Sequence, residues 1–172
     1  MTAKPEIASP AVGEVVLSAA VREEIDHWVA KYPPEHKQSA LMAALRIAQE
    51  DNGGWLSQGH LNAVAEYLQV APTLVTEVAT FYSMYELAPV GRHKICVCTN
   101  ISCMLRGSEE IMAHLTDRLG VDPGQTTPDG RFTLKTVECL GACVGAPMMQ
   151  VGRTYHEHLT PERVDRILDS LE

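Results

Sequence analysis

The chain lacks any long apolar segment. No stretch of its 172 residues approaches the roughly 20 apolar residues that a membrane-spanning helix needs. No apolar secretory run with a small-residue cleavage site opens it, and the first 17 residues hold one Lys, no Arg and two Glu, unlike an Arg-rich transit peptide. We therefore expect a soluble protein of the reducing cytoplasm, with a flexible tail over residues 1–17.

Basic residues are also scarce. Lys and Arg number 14 against 22 Asp and Glu, which gives a formal net charge of -8 at pH 7. Because binding nucleic-acid phosphates requires the opposite sign, this balance argues against a nucleic-acid partner and favours a protein partner. The phosphate-binding patterns G-x-G-x-x-G and G-x-x-x-x-G-K are absent as well, so the chain itself is assigned neither NADH nor FMN.

Four of the five cysteines lie in two close pairs. Cys98 and Cys103 form C-T-N-I-S-C, and after 35 intervening residues Cys139 and Cys143 form C-L-G-A-C. In a reducing compartment such pairs hold metal or do redox chemistry more often than they form disulfides. Four thiolates that a fold brings together suit zinc or an iron-sulfur cluster, so the pattern predicts a metal site with these four ligands.

Spacing leaves the occupant of this site open. Structural zinc sites use ligand pairs about two to four residues apart, whereas the wider C-x4-C and C-x3-C spacers favour a two-iron cluster. A zinc-stapled interaction module therefore stays an alternative to an electron carrier. A thiol-disulfide oxidoreductase is disfavoured, because it needs C-x-x-C where this chain has C-x4-C.

Hydrophobic periodicity divides the chain into two parts. Four helical segments, which begin near Ser18, Ser39, Ser57 and Pro72, predict a small antiparallel helical bundle over residues 18–90, with the first helix ending at Pro33-Pro34. After Pro89-Val90-Gly91 the predicted order is strand, helix, strand, hairpin and helix, with the first of these helices capped by Ser108. This order is typical of a small α/β sheet domain, here over residues 91–172.

The cysteines fall at corresponding places on the predicted sheet. Cys98 and Cys139 are each expected to end a strand, with Cys103 and Cys143 in the loops that follow. Neighbouring strands lie about 4.8 Å apart, so loops that leave the same end of the sheet can bring four sulfurs together. Gly141 and Gly145 fit such loops, because wrapping a cluster requires unusual backbone angles and close approach of backbone amides.

Long strings of sequence resemble one known family. V-C-T-N-I-S-C-M-L-R-G-S and E-C-L-G-A-C-V-G-A-P-M-M-Q-V, with E-V-A-T-F-Y-S-M-Y upstream and H-L-T-P-E-R-V downstream, resemble the thioredoxin-like [2Fe-2S] subunit of bacterial NADH:quinone oxidoreductase, respiratory complex I. The resemblance implies an α/β (α+β) chain in which a helical bundle precedes a thioredoxin-like domain. It also implies one [2Fe-2S] cluster, held by Cys98, Cys103, Cys139 and Cys143.

The resemblance further implies a function. Similar subunits serve NAD-linked formate dehydrogenases and NAD-reducing hydrogenases, always beside a flavin subunit that handles the nicotinamide. The chain would exchange single electrons with the FMN of a partner NADH-binding subunit, contact other peripheral-arm subunits, and lie in the cytoplasm at the inner membrane without inserting into it. It would catalyse nothing alone. All-thiolate ligation without His separates the cluster from Rieske centres and predicts a low potential, toward about -400 mV.

Three neighbouring features have ordinary interpretations. Cys96 is expected to be a strand residue rather than a ligand, and Met148 and Met149 to be core or cluster-shielding residues. Pro147 stands where thioredoxin folds often place a cis proline, and the isomer is left open.

Overall fold

The protein consists of two compact units that meet in sequence at Pro89-Val90. The computed structural model describes residues 15–171. The predicted flexible tail therefore lies largely outside the described residues, and its last residue, Leu17, is 7% exposed and belongs to the apolar core of the first unit. Within the described residues no helix is both long enough and apolar enough to cross a membrane.

The first unit is helical, as the periodicity predicts. Its α-helices are α1 (Ala19–Val29), α2 (Leu41–Asp51), α3 (Gln58–Leu68) and α4 (Pro72–Phe81), and a 3-10 segment, Pro34–Ala40, precedes α2. The side chains of Ser18 and Ser57 accept hydrogen bonds from backbone N–H groups in the first turns of α1 and α3, which satisfies donors that a helix start leaves unpaired. Pro72 starts α4, where its missing N–H costs nothing.

The predicted end of the first helix is wrong by one turn. The helix ends at Val29 rather than at Pro33-Pro34. The N–H groups of Lys31 and Tyr32 bond to carbonyls three residues back, so the chain tightens into a turn before the prolines are reached. Tyr32, in this turn, is 36% exposed.

Tyr85 is the largest fully buried side chain of the helical unit. It is 1% exposed, and its hydroxyl donates a 2.8 Å hydrogen bond to the Met42 carbonyl. Burial raises the pKa of Tyr85 to about 12, with Arg46 and Tyr82 as smaller influences. The folded unit therefore keeps this proton at a pH where the unfolded chain loses it.

We expect the stability of the helical unit to fall as the pH rises from about 10 to about 12. An unfolded Tyr has a pKa of about 10, so the contribution of neutral Tyr85 is complete below that pH and is lost as the pH approaches the folded pKa, by on the order of 2 kcal/mol. Tyr85→Phe should be about 1 kcal/mol less stable at neutral pH but show a flatter decline. Urea unfolding followed by the fluorescence of Trp28 and Trp55, both in this unit, measures the difference. Parallel declines in the two proteins would contradict it.

The second unit is a four-stranded sheet with helices. Its elements are β1 (His93–Cys98), α5 (Ile101–Leu105), α6 (Ser108–Leu119), β2 (Phe132–Val137), β3 (Met149–Val151), β4 (Thr154–His156) and α7 (Pro161–Ser170). The strand order is β2-β1-β3-β4; β1 is parallel to β2 and antiparallel to β3, and β3 and β4 form a hairpin. Ile95, Val97, Leu134 and Met149 of the sheet pack with buried side chains of α6 and α7. The carboxyl ends of β1 and β2 thus lie side by side.

Two local predictions about this unit are wrong. Cys103 lies on a short helix, α5, rather than in a loop, because the Asn100 side chain accepts the Ile101 N–H and caps the segment. Ser108 is the first residue of α6 and not its cap; Gly107, with a φ of 92°, holds the cap position. The left-handed backbone at that position favours glycine.

Candidate functional site

Cys98 is the last residue of β1 and joins two neighbouring segments. It is 3% exposed; its Sγ donates to the Glu138 carbonyl at 3.1 Å, and its N–H donates to the Met148 carbonyl at 3.2 Å. Cys98 pairs in register with Val137, the last residue of β2. Cys98 is therefore held between the end of β2 and Met148, the residue before β3.

Cys103 lies against Cys98. It is 1% exposed on α5, and the two side chains form a small apolar cluster with Ala146 and Met148. Burial first, and then the hydrogen bond with the Cys98 thiol, raise the pKa of Cys103 to about 11. A metal ion reverses this preference, because it binds the thiolate and releases the proton.

Cys139 and Cys143 lie at the surface. Cys139 stands two residues beyond β2, so the prediction that it ends the strand is wrong by those residues, and its Sγ accepts the Gly141 N–H at 3.4 Å. Cys143 begins a 3-10 turn, Cys143–Gly145, and lies near enough to Cys103 to contribute to the rise of its pKa. Gly141 has a φ of 76°, so the unusual backbone expected there is present.

The structure brings the predicted ligands together unequally. Cys98 and Cys103 are in contact, Cys143 lies nearby, and Cys139 is exposed. Over residues 15–171 no three His, Cys, Asp or Glu side chains approach closely enough to hold one metal ion. In chemistry the donor set fits a two-iron cluster, because it consists of thiols alone at the ends of two paired strands.

The residues beside the cysteines are mostly buried. Met148 is 1% exposed and packs against Cys98 and Cys103, whereas Met149 is 0% exposed and belongs to the core of the sheet. The Ala146–Pro147 peptide bond is cis. Cys96 is half-buried inside β1. Since strand residues alternate, Cys96 shares the face of Cys98, two positions further from the cysteine end.

An exposed apolar rim flanks Cys103 and Cys143 in the sequence. We use this name for Ile101, Met104, Leu105 and Val144, each within two residues of Cys103 or Cys143. Leu105 is 77% exposed and Val144 is 91% exposed. Large apolar side chains exposed beside a site are typical of a surface that another protein covers.

The segment from β4 to α7 supports the second cysteine pair, although no local sequence pattern signals this. The Tyr155 hydroxyl donates to the Leu140 carbonyl at 2.9 Å, between Cys139 and Cys143. The His158 N–H donates to the Gly145 carbonyl at 2.6 Å. Gly145 has no positive φ, so the unusual backbone angles predicted for this glycine are absent; a Cβ there would instead overlap Oε2 of Glu157.

Residues 25–172 match the thioredoxin-like [2Fe-2S] ferredoxin family, and the chain belongs to this family. It is 49% identical over 150 residues to an NADH-quinone oxidoreductase subunit of Rhizobium meliloti (strain 1021), covering 87% of this chain and 88% of that protein. It is 46% identical over 143 residues to an NADH-quinone oxidoreductase subunit of Rickettsia bellii (strain RML369-C), covering 83% and 86%.

A solved structure shows the same fold. The air-oxidised NAD+-reducing [NiFe]-hydrogenase superposes with a TM-score of 0.66 at 22% identity, covering 76% of this chain and 22% of that one. The predicted family, the α/β (α+β) class with its N-terminal helices, and one [2Fe-2S] cluster as cofactor are confirmed. The assignment of the four cysteines as its ligands stays a prediction.

Proposed function

We propose that this chain is the electron-transfer subunit of an NADH:quinone oxidoreductase. In this role its [2Fe-2S] cluster exchanges single electrons with the FMN of a partner NADH-binding subunit. The observation that carries the proposal is the identity of 46–49% to two NADH-quinone oxidoreductase subunits over most of both chains. In addition, the buried thiols of Cys98 and Cys103 are followed in sequence by exposed side chains of the apolar rim. The chain is thus part of an oxidoreductase and makes or breaks no substrate bond itself.

Each cysteine pair has its own proposed task. Cys98 and Cys103 form an inner pair of ligands, shielded from water by Met148, and Cys139 and Cys143 form an outer pair at the surface. The cluster supplies one-electron exchange, and the chain fixes its position and excludes water on the inner side. Thiolate ligands in a chain of net charge -8 disfavour the addition of an electron, which keeps the potential low.

The apolar rim is proposed as the surface that meets the flavoprotein subunit. Electron transfer slows steeply with distance, so the partner must cover the surface nearest the cysteines, and that surface carries the exposed Leu105 and Val144. The relatives are named as subunits of NADH-quinone oxidoreductase, which supports the proposal that this chain also binds partner subunits. Within such a complex the chain would lie in the cytoplasm, peripheral to the inner membrane.

The alternative parent complexes share this architecture. A formate dehydrogenase or an NAD-reducing hydrogenase would use an equivalent module, and the likeness to the hydrogenase shows that the fold alone does not separate them. The higher identity to the quinone-linked subunits favours the first proposal. Purification of the tagged chain from its native cells, with identification of the subunits that accompany it, tests the choice: quinone-linked subunits support it and a formate or hydrogen enzyme contradicts it.

The division of labour between chain and partner is tested by NADH. NADH added anaerobically to the cluster-loaded full chain should leave its visible absorbance unchanged, because the chain has no nucleotide-binding pattern. With NADH in large excess over NAD+, addition of the FMN-containing partner subunit should begin to bleach the cluster in the same experiment, and dithionite gives the full extent of bleaching for reference. Bleaching by NADH without the flavoprotein would overturn the proposal.

A further inference from the structure

Glu157 packs directly on the turn that carries Cys143. Gly145, the last residue of the Cys143–Gly145 turn, is buried. A Cβ on Gly145 would overlap Oε2 of Glu157 and would stand 2.5 Å from its Cδ and 2.6 Å from its Cβ. Since non-bonded atoms do not approach so closely, the Glu157 side chain fills the space that a larger residue at position 145 would need. The side chain of Glu157 therefore lies against Gly145, which is two residues after Cys143 in the sequence.

Hydrogen bonds on both sides of Glu157 hold it there. The N–H of His158 donates to the Gly145 carbonyl at 2.6 Å, and the N–H of Leu159 donates to the Pro147 carbonyl at 3.0 Å. Before Glu157, the Tyr155 hydroxyl bonds to the Leu140 carbonyl at 2.9 Å. The chain around Glu157 is therefore tied at three points to residues 140–147, which places the base of the Glu157 side chain at the turn that follows Cys143.

We infer that the carboxylate of Glu157 lowers the reduction potential of the cluster through its negative charge. The inference rests on the proposed ligation of the cluster by Cys143. Reduction adds one negative charge to the cluster, and a carboxylate held beside a ligand's turn repels that charge. Glu157 is half-buried, so water screens this repulsion less than it screens the repulsion from acidic residues on the exposed surface. Nearby charge is one of the variables that set the potential of iron-sulfur clusters.

The test is the midpoint potential of the full chain with its cluster, measured by a redox titration that follows the electron paramagnetic resonance signal of the reduced cluster. Glu157→Gln keeps the shape of the side chain and removes its charge, and we expect a shift to higher potential. Glu66→Gln, an exposed position on α3, makes the same change in net charge and should keep the wild-type potential. Glu157→Asp keeps the charge near the turn, so its midpoint potential should be lower than that of Glu157→Gln.

Each result decides the inference. A Glu157→Gln potential equal to that of Glu66→Gln, or a Glu157→Asp potential raised as far as that of Glu157→Gln, would show that Glu157 only packs. A change in folding alone would alter the thermal unfolding of the variants but not this order of potentials. A wild-type chain with no two-iron signal would refute the proposed function instead, so the two failures are distinguishable.

Discussion

Replacing Cys98 by alanine should abolish the cluster, whereas replacing Cys96 by alanine should leave it intact. Both cysteines lie on the same face of β1, two residues apart; Cys98 ends the strand and is in contact with Cys103, whereas Cys96 lies two positions further from the cysteine end. Loss of a neighbour that merely orients a metal ligand already lowers metal affinity about 10- to 100-fold, so loss of a ligand should lower it at least as much. Iron and acid-labile sulfide per chain, together with the visible spectrum, measure the loss.

The two variants control each other. Each removes one thiol from the same strand, so a general effect of cysteine loss on folding would appear in both circular dichroism spectra. Cys139→Ala and Cys143→Ala should behave like Cys98→Ala, although both positions are exposed. A Cys98→Ala protein with the complete reducible spectrum would show that the ligand assignment is wrong. Loss of iron, acid-labile sulfide and visible absorbance in Cys96→Ala would identify Cys96 as a ligand.

The combined change Leu105→Asp and Val144→Asp should prevent stable binding of the flavoprotein subunit. Burying a Leu or Val side chain stabilises an interface by about 1.5–3 kcal/mol, and about 1.4 kcal/mol corresponds to a tenfold change in affinity. Two such losses, with two carboxylates left at the interface, should weaken binding roughly 100-fold or more. Calorimetric titration of the cluster-loaded chain with the FMN-containing subunit measures the affinity.

The variant should keep its own cluster. Both side chains point into solvent, with exposures of 77% and 91%, so their replacement leaves the packing around Cys98 and Cys103 unchanged. Val16→Asp serves as a matched control, because Val16 is 70% exposed and lies in the helical unit, which contains no cysteine. Wild-type affinity in the double variant would show that the flavoprotein subunit does not bind at the rim. An equal loss of affinity in Val16→Asp would show that the effect is not specific to the rim.

The sequence predicted the elements whose signals are local. The serine before α1 and the serine before α3 act through hydrogen bonds within four residues, and apolar side chains repeat often enough along each helix to give its period. The residues that predict β1 and the hairpin of β3 and β4 likewise lie within short stretches. These signals sufficed for the order of the strands and longer helices and for the end of the sheet at which Cys98 and Cys139 lie.

The errors lie where a short segment or a distant contact decides the structure. α5 has five residues, too few for a periodic pattern, so only the Asn100 cap could have shown that Cys103 lies on a helix. The contact between Gly145 and Glu157 joins residues from different elements, and nothing in either local sequence predicts it. The same holds for the bond from Tyr155 to Leu140, which depends on where β4 lies in the sheet.

The most direct test of the account is elemental analysis of the full chain prepared without oxygen. We predict iron and acid-labile sulfide in equal amounts, about two of each per chain, in a brown protein whose visible absorbance is bleached by dithionite. A colourless chain that contains zinc, with neither iron nor acid-labile sulfide, would contradict the account.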